Sequence, residues 1–151
     1  MTWTKGLRTS THGHWNTPRA FYEKLDEEFC FDFHPCPKDP SFDGLAVPWK
    51  TSNFVNPPYG RGISAWVEKG YRESLKGKLV VFLVPARTDT RWWHDYIMRA
   101  DEIRFVKGRL RFGGSSNSAP FPSAVVIFSG ISLKFKFPRC LAMDAVNDPQ
   151  K

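Results

Sequence analysis

Six consecutive apolar residues, Leu79-Val80-Val81-Phe82-Leu83-Val84, constrain the fold of this chain more than any other feature. A strand with one wet face alternates apolar and polar side chains. This one does not alternate, so it is expected in a parallel sheet covered on both faces. Helical and extended patterns alternate around it. Thr17-Pro18 is a helix start, with Thr at the N-cap and Pro in the first turn, and Phe21, Leu25 and Phe29 come next at helical spacing. Residues 30–33 read as a short strand, and prolines with one glycine over residues 35–48 predict turns. Phe54-Val55 is a second strand. Ile63, Trp66, Val67, Gly70, Tyr71 and Leu75 mark one face of the next helix, which Gly77 stops. A further helix is expected over roughly residues 90–99, its Trp92 and Trp93 assigned to packing rather than base stacking. Residues 102–106 and 123–128 read as later strands, with a flexible polar loop at 113–118. The resulting fold class is α/β, a doubly wound sheet with flanking helices. The expected organisation is one domain over residues 14–133, an N-terminal tail over 1–13 and a basic, then acidic, C-terminal tail over 134–151.

Composition sets the outer limits. At 151 residues, with 41% hydrophobic and 15% aromatic content, the chain suits one folded domain and not a disordered segment. A net charge of +7 and a pI near 9.5 favour a polyanionic partner. No apolar run reaches the length of a membrane span and the N-terminus lacks a signal-peptide core, so no membrane association and a cytoplasmic location are expected. Three cysteines then read as reduced thiols. Cys30, His34 and Cys36 lack paired zinc-ligand spacing, Cys140 is remote and His12 and His14 lie in the tail, so no metal is expected.

The chemistry centres on Asn56-Pro57-Pro58-Tyr59. Two prolines end the Phe54-Val55 strand and stiffen the loop after it, because proline fixes φ and donates nothing to a ladder. A stiff loop holding an amide beside an aromatic ring suits capture of a flat ring with an exocyclic amine. The Asn56 side chain and the Pro57 carbonyl offer acceptors for the amine, and Tyr59 offers a stacking face. Neutral acceptors of this kind ready an amine for attack on an electrophilic methyl group. The same residues also make an ordinary turn, or a proline-rich ligand for another domain.

The ordered set of motifs around this loop resembles the phage-type DNA N-6-adenine methyltransferase family. The resemblance covers about residues 15–128. It rests on His14-Trp15-Asn16-Thr17-Pro18, Phe31-Asp32-Phe33-His34-Pro35-Cys36, Asp43-Gly44-Leu45 with Trp49, and Phe54 through Gly60. It continues in residues 83–92, in Gly108-Arg109-Leu110-Arg111-Phe112-Gly113 and in residues 119–124. It implies a reduced Rossmann-like, S-adenosylmethionine-dependent methyltransferase sheet in a single domain. It further implies a site-specific, adenine-specific DNA methyltransferase acting on a flipped adenine in double-stranded DNA. The gene would be of phage or prophage origin and the protein would work in the bacterial host cytoplasm.

Carried onto this chain, the resemblance makes Asn56, Pro57, Pro58 and Tyr59 the catalytic loop. Trp15, Thr17, Asp32, His34, Pro35, Cys36 and Asp43 become the cofactor side. His34 stands where the family more often carries an acidic residue. A neutral imidazole accepts through one nitrogen only, so Asp32, two residues back, is the alternative acceptor. Thr17 would cap the first helix while its neighbours meet the methionine carboxylate at the helix N-terminus. Asp43-Gly44-Leu45 is by itself a turn. Arg87, Arg91, Arg104, Arg109 and Arg111 are the expected phosphate contacts, Arg109 and Arg111 sharing one face of an extended segment. Two alternatives stay open: the same chemistry on RNA adenine or a glutamine side chain, and an inactive methyltransferase-fold nucleic-acid binder.

Overall fold

A computed structural model describes residues 16–114, 117–131 and 137–150. Its helices are α1 (Arg19–Phe29), α2 (Ile63–Ser74) and α3 (Arg91–Asp95). Its strands are β1 (Ser52–Val55), β2 (Leu79–Pro85), β3 (Glu102–Lys107), β4 (Ser123–Phe128) and β5 (Arg139–Asp144). One five-stranded sheet results, in the order β1-β2-β4-β3-β5.

The apolar run at β2 is central, with six of its seven residues buried. Its side chains alternate across the sheet. Val80, Phe82 and Val84 enter a core with Trp66, Val67, Trp92 and Trp93, under α2 and α3. Val81 and Leu83 enter a second core with Phe21, Leu25 and Phe112, under α1. The expectation of helices on both faces is therefore met. The expectation of a parallel environment is met on one side only. β2 runs parallel to β1 but antiparallel to β4, and β4 is antiparallel to β3. A strand covered on both faces reads as a continuous apolar run whichever way its neighbours point, so the pattern reports burial and not direction.

Local departures have local causes. Residues 30–33 do not form a strand; they contribute one parallel bridge, Phe33 to Asn53. Cys30 sits left-handed at φ 49° to end α1, and the Asp32 carboxylate takes the Ser52 N–H at 2.9 Å. The helix expected over 90–99 stops at Asp95, and a 3-10 turn comes next at Ile97–Arg99, because Tyr96 (φ −126°, ψ −50°) leaves the helical region. Leu75 lies 68% exposed beyond the end of α2. Residues 139–144, placed in the tail from the sequence, add β5 parallel to β3.

Gly70 is the tightest point between α2 and the sheet. A Cβ there would lie 2.2 Å from Phe82 Cζ and 2.4 Å from Cε2. Alanine normally gains about 1 kcal/mol over glycine inside a helix, but overpacking costs about 1–3 kcal/mol. Gly70→Ala is expected to lower the urea midpoint; a raised midpoint would show that the Phe82 ring yields freely.

Candidate active site

Strand directions decide where the loops meet. β1, β2, β3 and β5 point the same way, and β4 points back. Their outgoing ends, and the incoming end of β4, therefore share one edge of the sheet. Asn56 follows β1, Arg87 follows β2, Arg109 and Arg111 follow β3, Phe121 precedes β4, and residues 145–148 follow β5. Open α/β sheets hold ligands at such an edge.

A cleft of about 340 Å³ opens there. Asn16, Thr17, Arg19 and Tyr22 line it from the start of α1, and His34, Cys36, Pro37 and Lys38 from the segment beside β1. Phe54 and Asn56 come from β1 and its end. Four residues singled out from the sequence (Thr17, His34, Cys36 and Asn56) thus meet in one cavity although 39 positions separate Thr17 from Asn56. Pro35, Pro57 and Pro58 are buried beside them. Trp15 lies outside the described residues.

Asn56 is 7% exposed, and its Nδ2 donates to Thr17 Oγ1 at 2.9 Å. The expected capping role of Thr17 is thereby corrected. Pro18 occupies the N-cap of α1 with no side-chain cap. The first N–H groups are held from the other end of the chain: the Asp148 carboxylate accepts from Arg19 N and Ala20 N, each at 2.8 Å. This is the helix N-terminus expected to meet a ligand carboxylate, and a carboxylate of the chain itself takes that place. Asn147 prepares this contact, its Oδ1 accepting from Arg111 N at 2.6 Å and its Nδ2 donating to the Arg109 carbonyl at 3.1 Å. A carboxylate at a helix N-terminus also complements the helix dipole. Asp148→Ala is expected to cost about 1 kcal/mol, the usual worth of a cap, measurable by thermal denaturation; no change would mean that the tail contact does not persist in solution.

His34 shares a 2.7 Å hydrogen bond between its Nε2 and the Tyr22 hydroxyl, and its ring lies 5.3 Å from that of Tyr22. Partial desolvation lowers its pKa from the ordinary 6.5, and the charge of Asp26 works against that shift. Burial pushes the Cys36 thiol up to about 12, which makes it an inert cleft wall and not a nucleophile.

Several other expected residues lie elsewhere. Asp32 is exposed and tied to the start of β1, outside the cleft lining. Asp43 forms a turn, its Oδ1 accepting from Leu45 N at 3.0 Å, and Gly44 packs so closely that an added Cβ would stand 1.9 Å from the Pro35 carbonyl oxygen. Tyr59 turns away from the cleft into an aromatic group, edge-on to Phe121 at 5.1 Å and to Phe112 at 6.2 Å. Its buried hydroxyl has no hydrogen-bond partner among the described residues, and burial drives its pKa far above the ordinary phenol value.

Arg87 is exposed and lies over the Phe121 ring at 5.9 Å, so Phe121 links it to Tyr59. Arg91 is exposed at the start of α3. Arg109 and Arg111 do not lie on a strand, because β3 ends at Lys107 and Gly108 turns at φ 88°. The Arg109 guanidinium donates to the Ala119 carbonyl at 3.0 Å. Arg104 is corrected outright: its guanidinium is bound between Glu28 and Glu102, which raises its own pKa and holds Glu28 below the usual carboxylate range.

The sequence reading missed Asn16, Arg19, Tyr22 and Lys38 as cleft walls. For Tyr22 a signal existed, since it borders the Phe21 and Leu25 stripe; nothing local could pair it with His34. Among the described residues no helix is long and apolar enough to cross a membrane, and no group of three or more histidine, cysteine or acidic side chains could hold a metal. A family model for DNA N-6-adenine-methyltransferase (Dam) matches residues 5–132. No curated protein and no solved structure matches the chain.

Proposed function

The chain belongs to the DNA N-6-adenine-methyltransferase family, and on that premise we propose that it transfers a methyl group from S-adenosylmethionine to the exocyclic amine of adenine in double-stranded DNA. The observation that carries this reading is the meeting of Asn56 with Thr17, His34 and Cys36 in one cleft at the ligand-binding edge of the sheet. At about 340 Å³ the cleft falls within the range of small-molecule sites, roughly 300–1,000 Å³. Its lining suits the cofactor: the aromatic rings of Tyr22 and Phe54 for an adenine or a methionine chain, and Arg19 and Lys38 for a carboxylate. His34 would meet the cofactor through Nδ1, because Nε2 is engaged by Tyr22. The cofactor supplies an electrophilic methyl group.

The protein supplies position and polarity. Asn56, fixed at the end of β1 by the buried Pro57 and Pro58, would accept a hydrogen bond from the adenine amine as its nitrogen turns tetrahedral, which favours the transition state over the ground state. The amine loses its proton after transfer, so no strong base is required. A duplex adenine must first be flipped out, at a few kcal/mol. Stacking on an aromatic ring recovers about 1–3 kcal/mol; Tyr59 would supply that face by turning out of its packing against Phe112 and Phe121. Arg87, Arg91, Arg109 and Arg111 would meet phosphates along the same edge, in keeping with the net charge of +7. The reduced Rossmann-like sheet is part of the same reading, as is work in a phage-infected or lysogenic bacterial cytoplasm.

Calorimetric titration with S-adenosylmethionine tests the cofactor side. One molecule per chain is expected, with affinity weakened several-fold by His34→Ala and unchanged by Asp43→Ala, because Asp43 stands outside the cleft lining. Equal weakening in the two variants, or no binding at all, would contradict this placement.

A further inference from the structure

We propose that Thr17 is a positioning residue for Asn56, holding the amide of the catalytic loop rather than capping α1 or binding the cofactor. The inference rests on the methyltransferase reading above and adds a role to it.

Three observations converge. The N-terminus of α1 has its cap from Asp148, so Thr17 is not needed there. The Thr17 hydroxyl instead receives Asn56 Nδ2–H at 2.9 Å, inside the cleft that both residues line. Finally, two buried prolines fix the loop that carries Asn56 and restrict the Asn56 backbone, yet they leave its amide able to rotate about its terminal bonds. A carboxamide has a donor end and an acceptor end of nearly the same shape. Only the acceptor end can hold a substrate amine through its N–H. With Nδ2 engaged by Thr17, the Oδ1 edge of the amide is turned away from Thr17. Pro57 and Pro58 therefore stiffen the backbone beside the amide, and the Thr17 hydroxyl, which engages the Nδ2 end in this structure, holds the side chain. The contact also couples the two walls of the cleft, since Thr17 enters α1 and Asn56 leaves β1.

Thr17→Val keeps the shape and removes the hydroxyl, and Thr17→Ser keeps the hydroxyl. Misplacement of a reacting group by about 1 Å costs on the order of 100-fold in rate, so Thr17→Val is expected to lower kcat about 10- to 100-fold. KM for double-stranded DNA and Kd for S-adenosylmethionine should stay within about twofold, the signature of an interaction made in the transition state. Thr17→Ser should restore most of kcat. Nuclear magnetic resonance adds a readout independent of turnover: the Asn56 side-chain NH2 resonances should shift in Thr17→Val and stay near their native position in Thr17→Ser. An unchanged kcat in Thr17→Val would overturn the proposal while leaving the methyltransferase reading intact. Weakened S-adenosylmethionine binding at constant kcat would overturn it in favour of a cofactor contact. A native protein that binds the cofactor but transfers no methyl to DNA would sink the reading and the proposal with it.

Discussion

Asn56→Ala is expected to lower kcat for methyl transfer to DNA by about 100- to 1,000-fold, the usual effect of removing one preorganised polar group from a transition state. The side chain is 7% exposed and fixed on one side by Thr17 and behind by Pro57 and Pro58. The amide is thereby held in place, and its Oδ1, closed off from solvent in this structure, would meet the amine once the base has entered. The substitution removes a small polar side chain at a strand end and leaves the core residues Phe54 and Val55 in place, so the fold should persist. Kd for S-adenosylmethionine should change by no more than a few-fold, because nine other residues also line the cleft. Single-turnover kinetics beside a cofactor titration would check both halves. A fall in cofactor affinity that accounts for the whole loss would assign Asn56 to binding and remove it from the chemistry.

Glu73→Gln is expected to destabilise the fold by about 3 kcal/mol. Glu73 lies on the helix face of α2 at 0% exposure, where Lys69 Nζ stands 2.9 Å from Oε1, Lys78 Nζ 2.5 Å from Oε2 and Lys76 Nζ 3.6 Å from Oε1. Burial alone would raise the carboxyl pKa; the hydrogen bonds and charges of Lys78 and Lys69 outweigh it and bring the group down to about 2 from the ordinary 4.5. Each pKa unit is worth about 1.4 kcal/mol, which gives the figure above, and one-sided removal of a buried ionic partner costs a similar 3–5 kcal/mol. The lowered pKa sets the sign. The unfolded chain binds the proton more readily, so the contribution is fully present above about pH 4.5 and is lost as pH falls towards 2. Denaturation midpoints of native protein and Glu73→Gln should therefore lie far apart at pH 7 and draw together between pH 4.5 and 2. A constant gap across that window would mean that the lysines do not hold the charge.

Glu73 also marks the limit of sequence reasoning. It falls on the apolar face of α2, three residues after Gly70, where hydrophobic periodicity offers no reason to bury an acid. Its partners Lys69, Lys76 and Lys78 look in the sequence like an ordinary solvated basic stretch. The helices and main strands were legible because each carries its own pattern: the unbroken run of β2, the Phe21 and Leu25 stripe of α1, the Ile63, Trp66, Val67 and Gly70 face of α2. β5 was not legible, because its residues Arg139–Asp144 are mostly exposed at the sheet edge and lack the alternation that marks a half-buried strand. Strand direction was equally silent, since burial shapes the composition of β2 and direction does not.

The same division holds at the site. Asn56 was legible as a cleft residue because motif and strand end coincide, whereas His34 and Cys36 reach the cleft from a segment that touches the sheet through the Phe33 bridge. Asp32 and Asp43 were misplaced relative to the cleft because a carboxylate beside a strand or turn serves the backbone as readily as a ligand; here they take the N–H groups of Ser52 and Leu45. The pairing of Thr17 with Asn56, and of Asp148 with the start of α1, joins residues 39 and 128 or more positions apart. No local pattern encodes contacts at that range.

The central claim is the reaction itself. The direct measurement is transfer of labelled methyl from S-adenosylmethionine to unmethylated double-stranded DNA, with digestion to nucleosides and with Asn56→Ala beside the native protein. Label recovered as N-6-methyladenine, and lost in the variant, is the expected result. Label absent from DNA while the native protein binds the cofactor, or present on another base, would contradict it.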